Sequence, residues 1–523
     1  MPKTKPIELN QQFQRALTLM ENTNHHLFLT GKAGTGKSTL LEHFRAITRK
    51  RLAVLAPTGV AALNVHGQTI HSFCGFRPDI SLDKVRKIRN KESVRALLYK
   101  ELDTVIIDEI SMVRADLLDC VEKFLRLNGP QSKKQFGGIQ MIFIGDLYQL
   151  PPVVPSGEKG IFKVQYETPY FFSAHILNDP QFDMEFIELE KIYRQTDENF
   201  IGLLNAIRNR SVTDADLTLL NQKVDPEFNP PEEDFYIHLT STNDQAYRRN
   251  QEKLARLPGK PQAYQGLIKG DFDQSAFPTD KVLELKPGAQ VMLLNNDALG
   301  RWVNGSIGKV AKIIRRAGEE DVIRVDLSPH RGLEVTPYTW KIFKYAYDEQ
   351  ARKITSEPVG SFTQYPLKLA WAITIHKSQG KTFDKVVMDI GRGTFAHGQV
   401  YVGLSRCTRL EGLVLRKPIQ RHHILMDYQV VNFLTRFQYK KAQEKFSYKD
   451  KVRMIDEAIA AGRRLEIAYL KPDDTKSRRC IEPQAIEMLE YRGKRFEGLR
   501  AFCLERRELR HFRIDRMLEV KMV

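Results

Sequence analysis

Residues 31–38 read Gly31-Lys32-Ala33-Gly34-Thr35-Gly36-Lys37-Ser38 and satisfy G-x-x-x-x-G-K-[ST]. That pattern suits the holding of a triphosphate. Small residues let successive backbone N–H groups turn inward around the phosphates, at the positive end of the helix that follows. Gly34, Thr35, Gly36, Lys37, Ser38 and Thr39 form the cradle. Lys37 reaches the β- and γ-phosphates of ATP, and the Ser38 hydroxyl takes a place on Mg2+. Further along, Thr104-Val-Ile-Ile ends in Asp108-Glu109. An Asp there holds Mg2+ through water, and a neighbouring Glu polarises the attacking water. Paired acids at a strand end are common on surfaces, but behind a phosphate loop they read as the second half of a hydrolytic site. Two more groups fit that chemistry. Gln149, ahead of the rigid Pro151-Pro152, is placed to report the state of the γ-phosphate, and Arg194, at a strand end, is a charge clamp for the transition state.

The elements that must position these groups follow from hydrophobic spacing. His26–Thr30 is a short buried strand, and Ser38–Arg49 a helix with Leu40, Leu41, Phe44 and Ile47 on one face. Arg51–Pro57 is a second core strand running into Thr58-Gly59-Val60, at the sheet edge where open α/β sheets bind ligands. Gly67–Phe73 follows; Thr58, Thr69 and His71 either contact phosphates or serve as turn and cap residues. A helix from Glu8 to Met20 carries Gln12 and Gln14, whose amides match the adenine edge, although a solvated glutamine fits equally well. Leu117, Leu118, Val121, Phe124 and Leu125 form a helical stripe that reads as core packing.

Composition narrows the partners. The chain has 523 residues, more than one core accommodates, with 42% hydrophobic and 28% charged residues, as in globular proteins. Its net charge of +17 points to a polyanion, most simply nucleic acid. Five scattered cysteines without C-x-x-C argue for a reducing compartment and against a disulfide framework or zinc site. No apolar leader and no long apolar run are present, so a cytoplasmic location without membrane partners is expected.

In order, G-K-A-G-T-G-K-S, A-P-T-G-V-A-A, G-Q-T-I-H-S-F, I-I-D-E-I-S-M-V, G-D-L-Y-Q-L-P-P-V and Y-R-Q resemble the petite-integration-frequency (PIF) family of superfamily-one DNA helicases. The likeness continues through Thr242-Asn243, Lys286-Pro-Gly288, Ile375-His376-Lys377-Ser378-Gln379-Gly380 and Tyr401-Val-Gly-Leu-Ser405-Arg406. It implies an α/β fold with two RecA-like P-loop domains and a small SH3-like β insertion in the second. It also implies 5′-to-3′ movement on single-stranded DNA, with forked or structured DNA as substrate, in replication, repair, recombination or telomere maintenance. By the same resemblance Gln14 rather than Gln12 reads adenine, and Gln379, Gly380 and Arg406 complete the ATP site. The catalytic set is then Lys37, Glu109, Gln149, Arg194 and Arg406, with Ser38 and Asp108 on Mg2+. Thr58, Gly59, Thr69, His71, Thr242, Asn243, His376, Lys377 and Ser378 become the DNA contacts.

The expected boundaries are residues 1–213 for the first domain, with a short insertion near 75–100, and 214–308 with 361–437 for the second. The β insertion takes 309–360, a linker that reads as helical 438–450, and a terminal domain 451–523. Within 309–360, Tyr338, Trp340, Phe343, Tyr345 and Tyr347 alternate with Lys341 and Lys344. They form a stacking platform for single strands or, the better reading, a small β core. Residues 451–523 resemble a WYL domain, a small β-barrel-like module found mostly in bacterial regulators, although Glu497-Gly498-Leu499 stands where the naming tripeptide falls. Between Lys476 and Arg516 there are 12 basic and 7 acidic residues. Arg479, Arg510, Arg513 and Arg516 either bind a nucleic acid or nucleotide ligand or form a solvated basic face. A monomer is expected. Two rival readings remain: a translocase that does not separate strands, and a ligand-responsive regulator centred on the tail.

Overall fold

The computed structural model describes residues 10–523 apart from 156, 196, 232, 317, 329, 392, 394, 395, 472, 473, 492 and 493. The expected helix start at Glu8 lies outside them; the helix is described over Gln11–Asn22. Two compact units result: Met1–Ile207 with Val212–Leu425, and Arg208–Ser211 with Met426–Val523.

The first unit holds two parallel sheets. In one, β1 (His26–Gly31), β2 (Leu52–Ala56), β3 (Gln68–Thr69), β4 (Thr104–Ile107), β5 (Gln140–Ile144) and β6 (Met184–Leu189) lie in the order β3-β2-β4-β5-β1-β6. All neighbours run parallel. β4 and β5 are buried throughout, as expected of central strands covered on both faces. Leu40, Leu41 and Phe44 pack beneath β1 with Phe13, Ala16 and Met20. Ile47, read from spacing as part of that face, is exposed, because the helix ends there.

β7 (Ile237–Thr240) opens the second sheet. The chain then leaves it for ten strands: β8 (Gln262–Gln265), β9 (Leu267–Gly270), β10 (Val282–Leu285), β11 (Gln290–Leu293), β12 (Ile307–Ile314), β13 (Val322–Leu327), β14 (Leu333–Val335), β15 (Tyr338–Asp348), β16 (Lys353–Gln364) and β17 (Leu367–Leu369). It returns as β18 (Ala372–Thr374), β19 (Val386–Met388) and β20 (Leu413–Leu415), giving the parallel order β18-β7-β19-β20. The all-β part therefore spans 262–369, wider than the expected 309–360. The cause is pairing: β11 and β17 join the five-stranded sheet β14-β13-β12-β11-β17, and β9 joins β15-β16-β9.

β15 and β16 are long strands of 11 and 12 residues. Pro358 sits inside β16 without breaking it, next to a register shift and outside the Gly360–Thr363 stretch that pairs with β9. Trp340 and Tyr345 pack inward, while Tyr338 is exposed. Trp340 stacks on Phe362 at 5.9 Å, and Tyr345 meets Phe73 edge-on at 6.1 Å. The Tyr345 hydroxyl accepts from Val54 N–H at 3.0 Å and lies 3.4 Å from the Val54 carbonyl. β3 is too short to pair that part of β2, so one phenol replaces a missing strand. Tyr345→Phe is expected to cost about 1–2 kcal/mol and to speed hydrogen exchange at the Val54 amide. Unchanged exchange would show that the hydroxyl does not protect it.

The second unit has two helices, Tyr428–Lys445 and Tyr448–Ala461, and β21 (Leu465–Leu470), β22 (Lys476–Tyr491), β23 (Lys494–Cys503), β24 (Glu508–Arg513) and β25 (Met517–Met522). These strands form one antiparallel sheet in the order β24-β23-β22-β21-β25. The expected helical linker at 438–450 falls across these two helices, and it packs into this unit rather than only connecting to it. Gln438 donates to Asp474 at 2.7 Å, and Tyr439 to the Leu470 carbonyl at 2.9 Å. Buried Lys451 donates to the Met517 carbonyl at 2.7 Å. Arg513 pairs with Asp515 at 2.6 Å and stands over the Phe496 ring, and Arg510 lies 3.5 Å from Glu508. These pairings favour a solvated face over an open anion site. No helix among the described residues is long and apolar enough to cross a membrane.

Candidate active site

The loop between β1 and the Lys37–Ile47 helix is built on left-handed glycines, Gly34 at φ 83° and Gly36 at φ 87°. Space excludes larger residues as well. A Cβ on Gly34 would fall 2.4 Å from the Arg194 Cβ, and one on Gly36 2.9 Å from the Phe13 ring. The Lys37 ammonium donates to the carbonyls of Gly31 (2.7 Å) and Lys32 (3.1 Å), folded back along the loop. Burial lowers its pKa, against the pull of Asp146, Glu109 and Asp108. Ser38 and Thr39 are exposed on the first turn of the helix.

Asp108 and Glu109 end β4 opposite this loop. Glu109 adopts φ 51°, uncommon for a residue with a Cβ. Burial and then the Asp108 charge push its carboxyl up to about 7. Asp108 is raised by burial too, and Lys37 draws both down.

Asp146, just past β5, was not singled out from the sequence, yet it anchors the site. Its side chain accepts from Tyr148 N–H at 3.1 Å, from Gln149 Nε2 at 3.4 Å and from the Tyr401 hydroxyl at 3.4 Å. Gln149 Oε1 in turn accepts from Gln379 Nε2 at 3.4 Å. Tyr401, on the helix Gln399–Leu404, also accepts from Ala33 N–H at 3.0 Å. One phenol thus touches the phosphate loop and the carboxylate beyond β5 from the opposite side of the cleft. No periodicity marks it; its role exists only when two segments 368 residues apart meet.

Arg194 follows β6 and reaches across the cleft: its Nη1 lies 3.4 Å from the Ser405 carbonyl, while Gln195 Nε2 donates to the carbonyls of Ser405 (3.1 Å) and Cys407 (3.3 Å). Arg406 is 1% exposed. Its guanidinium is bound to the carbonyls of Val402, Ser378 and Lys381. Burial and Arg194 lower its pKa, Tyr401, Glu109 and Asp146 raise it, and an arginine so placed stays cationic at neutral pH. Gln12 Oε1 accepts from Glu190 N–H at 3.0 Å, and Gln14 is exposed. Gly380 is exposed at φ 75°.

The expected DNA contacts divide. Thr58, Thr69 and Thr242 each cap a helix, accepting from Ala61, Ser72 and Gln245 N–H. Thr58, Asn243 and Lys377 are exposed, and Gly59, Thr69, His71 and His376 half-buried. Burial holds both imidazoles below the usual histidine range, so they are neutral at pH 7. Ser378 is a correction. It is fully buried, its hydroxyl donates to the Ile375 carbonyl at 2.7 Å, and its own carbonyl accepts from Arg406. It shapes this segment and does not face a strand. Lys368 and Lys381, passed over in the sequence, are half-buried, with Lys377 near Lys368; burial lowers both, and the Lys368 charge helps bring Lys381 to about 8.

Residues 8–217 match the model for PIF1-like helicase, and residues 450–522 that for the WYL domain. ATP-dependent DNA helicase PIF1 of Mus musculus is 36% identical over 79% of this chain and 60% of its own length. ATP-dependent DNA helicase Pif1 of Bdellovibrio bacteriovorus is 32% identical over 83% of this chain and 93% of its own. The crystal structure of Bacteroides sp Pif1 in complex with ADP-AlF4 superposes with a TM-score of 0.74 at 37% identity, covering 84% of this chain and 98% of that one. The chain thus spans about three fifths of the mouse relative but nearly all of the bacterial one. With two parallel sheets, a phosphate loop and a cleft closed by Tyr401, Arg194 and Arg406, the chain belongs to the PIF1-like helicase family.

Proposed function

We propose that the chain is an ATP-driven DNA helicase moving 5′ to 3′ on single strands and opening forked or structured DNA. The observation that carries this is the convergence of Lys37, Glu109, Asp146, Arg194 and Arg406 on one cleft between the two sheets. Lys37, Arg194 and Arg406 neutralise the γ-phosphate as charge spreads, Glu109 polarises water, and Gln149 with Gln379 passes phosphate state across the cleft. Gln14 reads adenine. Ser38 and Asp108 would hold Mg2+, which would supply positive charge against the phosphates. Among the described residues no three His, Cys, Asp or Glu side chains cluster as a metal cage, which fits an ion held largely by phosphate and water. Bacteroides Pif1 is described bound to single-stranded DNA, and two coordinating Pif1 helicases are described in unwinding at forked duplex DNA. Here Thr58, Gly59, Thr69, His71, Thr242, Asn243, His376 and Lys377, with Lys368 and Lys381, form the strand's path. Five free cysteines and the WYL match support a bacterial cytoplasmic setting.

The test is ATP turnover with and without single-stranded DNA, on the full chain and on residues 1–425. A cut at 437 would split the Tyr428–Lys445 helix. DNA stimulation in both supports a self-sufficient motor, and none in either removes the helicase reading. Stimulation without fork opening leaves a translocase. Tyr401→Phe keeps the buried ring and removes the bridge to Ala33 and Asp146. It is expected to lower kcat about tenfold while KM changes little, the signature of a contact that matters during turnover. An unchanged kcat would make the bridge incidental.

A further inference from the structure

A polar pocket of about 250 Å³ lies away from the cleft, lined by Arg249, Glu252, Lys253 and Arg256 of the helix Asn243–Arg256, by Glu227 and Asn229, and by Arg416 just after β20. Four cations face two carboxylates there. Arg249 Nη2 is 2.8 Å from His238 Nε2. Burial, with Arg249, Arg416 and Lys253, holds His238 at a pKa of about 2, so the ring is neutral and its nitrogen accepts. Arg249 Nε is buried with no hydrogen-bond partner. Arg416 donates to the carbonyls of Pro226 and of Phe228 (2.6 Å for the latter). Both guanidinium groups are therefore fixed by a neutral ring and by carbonyls, leaving their charge available.

Basic residues in a last helical turn complement the helix dipole, which accounts for Lys253 and Arg256. It does not account for Arg249, mid-helix, or Arg416, from another element and beside it. Burial, Arg416 and Arg256 all act against the Arg249 charge, with Asp389 and Glu252 in partial compensation. Like charges held together at a pocket are stabilised by an anion, and two guanidinium forks match the oxygens of a phosphate. The volume suits one or two phosphate groups and falls below the usual range for a whole organic ligand.

We propose that this pocket binds a phosphate group, from a free phosphoanion or from a nucleic-acid strand. Because the helix that lines it begins at Thr242 and Asn243, an occupant would act on the same element that presents those two residues. The pocket shares no residue with the ATP cleft and stands apart from the helicase reading.

The experiment uses the full chain carrying Lys37→Ala, which weakens phosphate binding at the loop. Inorganic pyrophosphate is titrated calorimetrically, and a single-stranded oligonucleotide is bound across a salt series. Both are repeated in Lys253→Gln/Arg256→Gln and in Arg249→Gln, with circular dichroism to check folding. The expected result is a pyrophosphate dissociation constant raised at least tenfold in both variants. A DNA salt slope reduced by about 1–2 as well assigns the phosphate to the strand; an unchanged slope assigns it to a free phosphoanion. A reduced slope without pyrophosphate binding supports a strand phosphate alone. Pyrophosphate affinity and salt slope both unaltered in folded variants would overturn the proposal.

Discussion

Lys37→Ala is expected to lower ATP turnover by at least about 10²–10³-fold, the range for removing a preorganised charge from a developing oxyanion, while affinity for single-stranded DNA stays within about threefold. The structure supports the separation. Lys37 bonds to the carbonyls of Gly31 and Lys32 and acts on Asp108, Glu109 and Asp146. The exposed residues assigned to DNA lie on other segments, from Thr58 to Lys377. The lysine has a second effect. Its charge draws the Asp108 and Glu109 carboxyls down, so its removal leaves both more readily protonated. Phosphate-release kinetics and fluorescence anisotropy with labelled DNA measure the two arms. Normal turnover in the variant would remove the ATP-site assignment, and equal loss of DNA binding would remove the separation.

Glu109→Gln should cost about 10²–10⁴-fold in kcat, the scale of a positioned base, and should also erase a pH dependence. The Glu109 carboxyl lies at about 7 because burial and Asp108 disfavour its charge. A base acts when deprotonated, so kcat/KM should fall as pH drops through that region and level off above it. The apparent value belongs to the Asp108–Glu109 pair, since the two titrate together. Bound Mg2+ would favour the carboxylates while the negative triphosphate would oppose that, so the limbs in kcat and in kcat/KM are measured separately. Glu109→Gln keeps size and hydrogen-bonding reach and should flatten both limbs. A full limb surviving in that variant would assign the proton to another group.

The candidate site was legible in sequence because its parts are short contiguous runs near strand ends. Asp108 and Glu109 directly follow a buried strand, Lys37 and Gln149 come a short loop after one, and spacing plus residue type suffices to place them. Arg194 and Arg406 were legible as residues, but not their bonds across the cleft. Asp146 and Tyr401 escaped because an Asp after a strand and a Tyr on a six-residue helix are ordinary until 3D contact joins them. Ser378 erred in the opposite sense: a polar residue in a polar run reads as surface, yet its hydroxyl is satisfied within its own turn and needs no solvent. The extent of the β region failed for a related reason. β11 and β17 are claimed by an antiparallel sheet whose other strands lie between them in sequence. The 438–450 segment, polar enough to read as a linker, is held by its buried minority, Gln438, Lys441 and Ala442.

The bond between Tyr345 and Val54 also bears on the order in which the chain acquires its structure. All six strands of the first sheet are complete by Leu189, and a nascent chain folds such a unit as it emerges. Val54, however, waits for a partner 291 residues later. Until β15 arrives, the amide and carbonyl at the middle of β2 are an open sheet edge, the kind of surface to which another chain's strand adds. Contacts of such long sequence separation form late and slowly. During synthesis the first sheet should therefore pass through a stage that is fully stranded yet still able to recruit a foreign strand, and arrival of the hairpin ends it.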